Sequence, residues 1–350
     1  MPLHLLLTTS WKQLAFCNSS RLAAAAAAGG GQRARPAGAS VEARALAPAS
    51  TAAAAAAAAA PAPPNVDYLA AEFAGHGVSF EAVGGSCAVK MELRNGSAAH
   101  VLLPGGLVTS YKPAMWHGAP TEVIHTTVAE GLGGRAVIRG GVSLDLRCGG
   151  AAGGGGDGMP PWSPSGAWSL RDVRGSPTGS IEVELASAAP PEASGVEARC
   201  VVTLHPEALA TEFTARNAAS PSPVALSAAV STHLRVSTPD ATYAVGLQGS
   251  DYRAIDPVLS EFAIVPPDFM SRVVVGDDAR AALGHQGGRR NSICVQRRGF
   301  EEVYVFSPGS KYQWYGKYAY VCVGPAMLEP IVLSPGATWS GAQYLRNPNL

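Results

Sequence analysis

His117 and His125 stand eight positions apart in a stretch rich in turn residues, and paired imidazoles are a common beginning of a transition-metal site. That spacing matches no recognised ligand geometry, so the pair does not define one. The six cysteines (Cys17, Cys87, Cys148, Cys200, Cys294 and Cys322) form no CxxC and no short-spaced group. Zinc, iron–sulfur and dithiol chemistry all need sulfurs close together, so none of them is expected. Reduced, mostly buried thiols are expected instead, as in a cytosol or stroma. A glycine-rich dinucleotide fingerprint is also missing, so the expectation is no metal and no cofactor. Three features remain. His233 sits in the run Ser231–Ser237, Arg139 precedes Gly140–Gly141, and Trp116 and Trp162 lie among prolines and glycines. Aromatics in such loops can stack on sugars or fill a protein interface, where they are enriched.

The elements that must position these side chains read as strands. One short helical patch, Val66 to Phe73, comes first. Period-two alternation then begins, in Val78–Val83 and Ala88–Leu93, with turn signals at Gly84–Gly85, Asn95–Gly96 and Pro104–Gly106. Further candidate strands are Trp168–Arg171, Ile181–Leu185, Ala198–Leu204, Leu209–Arg216 and Val224–Val236. The series continues with Arg272–Val275, Ile293–Arg297, Glu302–Phe306, Tyr318–Val323 and Ile331–Leu333. Gly149–Gly158 reads as a loop with too little side chain to fix a catalytic geometry. The expected class is all-β, a large antiparallel β-sandwich over residues 65–350. Two smaller sandwiches would need a hinge, for which Pro190–Ser194 is the candidate.

The front of the chain has another character. Met1 to Ser40 contains no acidic residue but does contain Lys12, Arg21, Arg33, Arg35 and the alanine run Ala23–Ala28. An acid-poor, alanine-rich leader with arginine and serine has the composition of an organelle transit peptide. The tract Ala52–Ala60 ends in Pro61, Pro63 and Pro64, which stop a helix, so it reads as a low-complexity spacer. Residues 1–64 are therefore expected to be transit peptide and spacer. The 26 basic and 26 acidic side chains balance, which gives no reason to expect nucleic acid or an anionic membrane as partner.

Four segments then fall into a familiar order. Asn95-Gly96-Ser97 leads into Leu107-Val108-Thr109-Ser110-Tyr111-Lys112, and Ile138-Arg139-Gly140-Gly141 follows. Thr232-His233-Leu234-Arg235-Val236 comes later, and the end reads Leu333-Ser334-Pro335-Gly336-Ala337-Thr338-Trp339-Ser340-Gly341. Together these resemble the aldose 1-epimerase superfamily, in its hexose-6-phosphate 1-epimerase branch. The resemblance implies the galactose-mutarotase supersandwich and a sugar site. There a glutamate on a late strand takes the anomeric proton while histidines protonate the ring oxygen and bind substrate.

This chain departs from that pattern at the chemical positions. Where the family has a glutamate, the segment Cys322-Val323-Gly324-Pro325-Ala326 has Gly324, which cannot accept a proton. Glu329 stands at an odd offset and matches a different family position. The first family histidine precedes a tryptophan for which Trp168 is the match, but no histidine occurs between His125 and His205. His233 is the second one, surviving as a relic. By resemblance Arg139 belongs to the phosphate end of the site, while as a plain strand-end arginine it would pair with a surface carboxylate. No catalytic residue is therefore expected. His233 and Arg139 are the candidates for a relic sugar-phosphate site.

A leader of this composition on such a fold, with the run Leu107–Gly118 continuing to Val123–Thr126, resembles one plant group more narrowly. That group is the mutarotase-like subunits of subcomplex B in the chloroplast NADH dehydrogenase-like complex. The resemblance implies a non-catalytic structural subunit supporting cyclic electron flow around photosystem I. Its partners would be the other subunits of that complex and the photosystem I supercomplex. It would lie on the stromal side of the thylakoid membrane, held peripherally through those partners. The alternatives are a plastid hexose-6-phosphate 1-epimerase with a relocated base and a carbohydrate-binding protein without turnover.

Overall fold

Alternating apolar and polar residues dictate strands with one buried face, and the computed structural model has that architecture. It describes residues 65–83, 86–115, 118–130, 136–150, 163–164, 167–189, 195–218, 220–236, 242–247, 249–256, 261–265, 272–277, 292–306 and 320–347. The leader, Cys17, Trp116, His117, Trp162 and the candidate hinge Pro190–Ser194 lie outside the described residues.

Helix α1 (Val66–Glu72) opens the fold where the helical patch was read, with Asn65 Oδ1 accepting from the Tyr68 amide as its N-cap. Then follow β1 (Val78–Val83), β2 (Ser86–Glu92), β3 (Ala98–Leu102), β4 (Leu107–Lys112), β5 (Thr126–Glu130), β6 (Ala136–Gly140) and β7 (Val142–Gly150). The middle of the chain supplies β8 (Ser169–Gly175), β9 (Ile181–Ala188), β10 (Val196–Leu204), β11 (Ala208–Asn217), β12 (Val224–Arg235) and β13 (Thr242–Val245). The last group is β14 (Asp251–Asp256), β15 (Glu261–Val265), β16 (Arg272–Asp277), β17 (Ser292–Arg298), β18 (Glu302–Phe306), β19 (Tyr320–Leu333) and β20 (Thr338–Arg346).

These strands form a ten-stranded sheet in the order β1-β2-β3-β4-β7-β12-β19-β18-β15-β14 and an eight-stranded sheet in the order β13-β16-β17-β20-β11-β10-β9-β8. All their pairings are antiparallel. Side chains such as Met91, Val101, Leu146, Leu226 and Val323 from the first sheet share one core with Ile181, Val202, Leu209 and Leu345 from the second. The all-β sandwich read from the alternation is what is found. Cys87, Cys148, Cys200, Cys294 and Cys322 are buried free thiols within it.

Two readings need correction. Gly149 and Gly150 are not loop residues; they end β7, paired with Ala225 and Val224 of β12. Tyr318–Val323 and Ile331–Leu333 are not separate strands, because β19 runs unbroken from Tyr320 to Leu333 through Pro325 and Pro330. Pro325 keeps its place in the ladder opposite Val303 of β18, and β19 bulges around Pro330, spending four steps from Met327 to Ile331 against two of β12 from Ala228 to Leu226.

The motif glycines have local causes. A Cβ on Gly106, at φ +57°, would come within 2.6 Å of the Trp168 ring, so the turn before β4 is closed by the tryptophan packed upon it. A Cβ on Gly341 would lie 2.7 Å from Trp339 Cζ2, in the space where Phe300 meets Trp339 edge-on at 5.2 Å.

Candidate functional site

The Arg-Gly-Gly segment ends the β5–β6 hairpin, a two-stranded sheet of its own in which Arg139 faces Thr127. Gly140 and Gly141 take φ of +89° and +77°. A Cβ on Gly140 would run into the His125 carbonyl, and one on Gly141 into the Val108 carbonyl. The glycine pair therefore lets the chain pass between two other backbone segments. Arg139 itself is exposed and, among the described residues, makes no ion pair. The surface carboxylate expected for a plain strand-end arginine is thus not its partner in the described part of the molecule.

Past Lys112 the chain folds back as a strap over the end of the ten-stranded sheet, and Glu122 fastens it. Glu122 Oε1 accepts from the amides of Tyr111 and Ile124, each at 3.0 Å, and Oε2 accepts from the Ser110 hydroxyl. Asn347 holds the other end by donating to the Ala114 carbonyl at 3.0 Å.

Strap, hairpin and β12 meet in a closed ring of three backbone hydrogen bonds. The His125 amide donates to the His233 carbonyl at 2.8 Å, His233 to Gly141 at 3.0 Å, and Gly141 to His125 at 2.8 Å. The His233 ring adds a fourth bond, from Nδ1 to the Gly141 carbonyl at 3.2 Å. A carbonyl can only accept, so Nδ1 bears the proton and Nε2 of the neutral ring is bare. The Tyr320 ring fills the space beside both imidazoles, stacked on His125 at 4.9 Å and tilted against His233 at 5.2 Å, with Phe306 at 6.3 Å.

Burial controls the protonation of this cluster. It pushes the His125 imidazole down to about 4, helped by the charges of His233 and Arg235. Burial also pushes His233 below the ordinary histidine range, against the opposing pull of the Gly141 carbonyl. Both rings are therefore neutral near neutral pH. A general acid needs a proton to give at the operating pH, and His233 has none on its free nitrogen.

Gly324, where the resemblance expects a glutamate, lies close by. His233 pairs with Cys322, so Gly324 lies two residues farther along the same face of β19. A Cβ on Gly324 would fall inside the Val230 carbonyl group, with the carbonyl carbon at 2.8 Å and Gln343 Oε1 at 3.4 Å. The glycine is thus imposed by the packing of β12 against β19, and no side chain fits there. Gln343, reaching across from the eight-stranded sheet, is wholly buried and donates to Thr232 Oγ1 at 2.6 Å. The nearby carboxylates are engaged elsewhere or point away. Glu302 accepts from the Leu328 amide at 2.8 Å, and Glu329 is exposed.

The structure thus joins two of the residues singled out in the sequence, His233 and Gly324, and leaves Arg139 exposed on the hairpin. Sequence reasoning missed His125 as a member of this cluster, as well as Tyr320, Gln343 and Glu122. A signal existed for Tyr320, because the β19 alternation places it on the face of Cys322 and Gly324. No local signal marks the strap, whose bonds to β12 and to Asn347 join segments about a hundred residues apart or more.

This architecture is that of the galactose mutarotase-like proteins. A putative mutarotase from Salmonella typhimurium superposes with a TM-score of 0.55 at 15% identity, covering 77% of this chain and 92% of that one. A galactose mutarotase-like protein from Clostridium acetobutylicum gives 0.56 at 11% identity, covering 78% and 98%. No protein-family model matches the chain. The sequence is 37% identical over 308 residues to the Arabidopsis thaliana protein NDH-dependent cyclic electron flow 5, covering 81% of this chain and 83% of the relative. The chain belongs to the family of that protein.

Proposed function

We propose that this protein is a non-catalytic structural subunit of the chloroplast NADH dehydrogenase-like complex. It would sit in subcomplex B, supporting cyclic electron flow around photosystem I. The name of the Arabidopsis relative supports the pathway. The observation that supports a structural rather than an enzymatic role is the Val230 carbonyl standing where a side chain on Gly324 would begin. The neutral His233 ring, packed against Tyr320, supports it too. In this reading residues 1–64 direct import into the plastid and are removed, and residues 65–350 form the working domain. Attachment at the stromal face of the thylakoid is through partner subunits. No helix among the described residues is long and apolar enough to cross a membrane, which agrees with that. Gentle solubilisation of thylakoids followed by native electrophoresis tests the assignment. The protein should migrate in a megadalton-scale complex with NADH dehydrogenase-like subunits; migration only as a free monomer overturns it.

A further inference from the structure

A strand at the edge of a sheet leaves half of its backbone donors and acceptors without ladder partners, and natural edges are blunted so that other chains do not pair there. The two large sheets end in β1, β14, β13 and β8, and three of these four edges are blunted. β8 carries a bulge between Leu170 and Asp172 and an ion pair of Arg174 with Asp172. β14 carries a bulge between Ala254 and Asp256, and β13 is only four residues long. β1 has none of these protections. Its six residues pair with β2 in unbroken register, and Val-Ser-Phe-Glu-Ala-Val contains no lysine, proline or glycine.

The backbone groups on the open side of β1 follow from the ladder. The Glu92 amide donates to the Gly77 carbonyl at 3.0 Å, so these two residues form a hydrogen-bonded pair. Alternation along an antiparallel ladder then turns the N–H and C=O of Ser79, Glu81 and Val83 toward β2. Those of Val78, Phe80 and Ala82 point to the free side, and none of them has a hydrogen-bond partner among the described residues. Tyr68 of α1 is 62% exposed, and Val83 at the end of β1 is 39% exposed. Together α1, β1 and β2 carry Asp67, Glu72, Glu81 and Glu92 against Lys90 alone, and Glu92 already holds Lys90 at 2.7 Å. We propose that β1 is a docking edge to which an extended, basic segment of a partner protein adds as a further strand. This rests on reading the protein as a subunit of a larger assembly. The carboxylates select the occupant, because a second copy paired through the same edge would set its own Asp67, Glu72 and Glu81 against these. The chain's own leader is poorly suited, since the part next to α1 is an alanine tract followed by Pro61, Pro63 and Pro64.

Hydrogen exchange read amide by amide tests the edge directly, because an added strand covers Val78, Phe80 and Ala82 in particular. In the purified full chain these three amides should exchange freely. In the assembly drawn from freshly broken tissue they should gain protection of about 10-fold or more. Glu81→Lys reverses the charge at an exposed position, and Ala82→Pro removes a donor that β2 does not use. Each variant should return Val78 and Phe80 to free exchange while the amides of β9 to β11 stay protected. If Ala82→Pro does not protect β9 to β11, it has not folded, and Glu81→Lys is read alone. Edge amides protected in the purified chain overturn the proposal: the chain covers its own edge if dilution leaves the protection unchanged, and a second copy does if dilution removes it. Edge amides that stay free in the assembly overturn it too, as does protection that survives in either folded variant. Sequencing the co-purified proteins separates this outcome from the functional reading. A strand donated by a protein outside the NADH dehydrogenase-like complex keeps the docking edge and overturns that reading, whereas free edge amides inside that complex do the reverse. A chain recovered only as a monomer overturns both.

Discussion

The carbonyl of Val230 stands in the space into which a side chain on Gly324 would have to grow. Two neighbouring strands have therefore closed on each other at the point where the mutarotase-like resemblance places a catalytic carboxylate. A lost base that left a vacancy could be restored by one substitution. Here the space itself is gone, and the backbone of β12 holds it.

Gly324→Ala should therefore destabilise the protein by about 3 kcal/mol or more, since the obstacle is backbone and cannot rotate away. Thermal unfolding should shift down by about 6–12 °C. Gly324→Glu should be at least as damaging and should give no sugar-phosphate anomerase activity. A well-folded, active Gly324→Glu protein would show that β12 can yield.

Gln343 and Thr232 make one buried polar contact between the two sheets, with Gln343 Oε1 left without a partner among the described residues. Thr232→Val strands the Gln343 amide and should cost about 1–3 kcal/mol. The pair Thr232→Val with Gln343→Leu removes both polar ends and should recover most of that loss. A double-mutant cycle in urea measures the coupling, and strictly additive losses would contradict the contact.

Much of the frame was legible in the chain, and the reasons are particular. The run from Ile181 to Leu185 alternates cleanly, and β9 has that burial pattern with Ile181, Val183 and Leu185 fully covered. Gly149 and Gly150 misled, because glycine carries no side chain to alternate and β7 is held at that end by backbone pairing with β12. Pro325 and Pro330 lie between the two candidate strands Tyr318–Val323 and Ile331–Leu333, yet β19 continues because Pro325 pairs in register with Val303 and the strand bulges around Pro330. In the candidate site, the type of residue at 233 and 324 was readable, but the geometry was not. His125 reached the cluster through a strap fixed by Glu122, and that is a tertiary event with no local period.

Removing the Glu122 carboxylate should loosen the strap. Glu122→Ala leaves the Tyr111 and Ile124 amides and the Ser110 hydroxyl without their acceptor and should cost about 1–3 kcal/mol. Glu122→Gln keeps one oxygen for the two amides and should cost less. Urea unfolding of the two variants gives the order; equal losses would mean that the charge, rather than the acceptor geometry, fastens the strap.

Acid should weaken the whole fold through its buried histidines. His125 holds its proton only below about 4 when folded, against 6.5 ordinarily, so the native state binds fewer protons than the unfolded chain in between. Stability is then fully present above about pH 6.5 and is lost as pH falls through that window. For His125 alone the loss between about pH 7.5 and about pH 5 is about 2 kcal/mol. His233 and His100, both lowered chiefly by burial, act in the same direction. Urea midpoints measured across this range should fall, and they should fall less in His125→Phe.

The central claim is that a mutarotase-like fold is kept here as structure after its chemistry has been closed off. Exchange between the two anomers of glucose 6-phosphate, followed by magnetisation-transfer NMR with the purified protein, addresses it without intermediates. The account predicts exchange no faster than in buffer, at any protein concentration that leaves the sugar signals observable. Exchange that rises in proportion to added protein, and that disappears in His233→Ala, would contradict it.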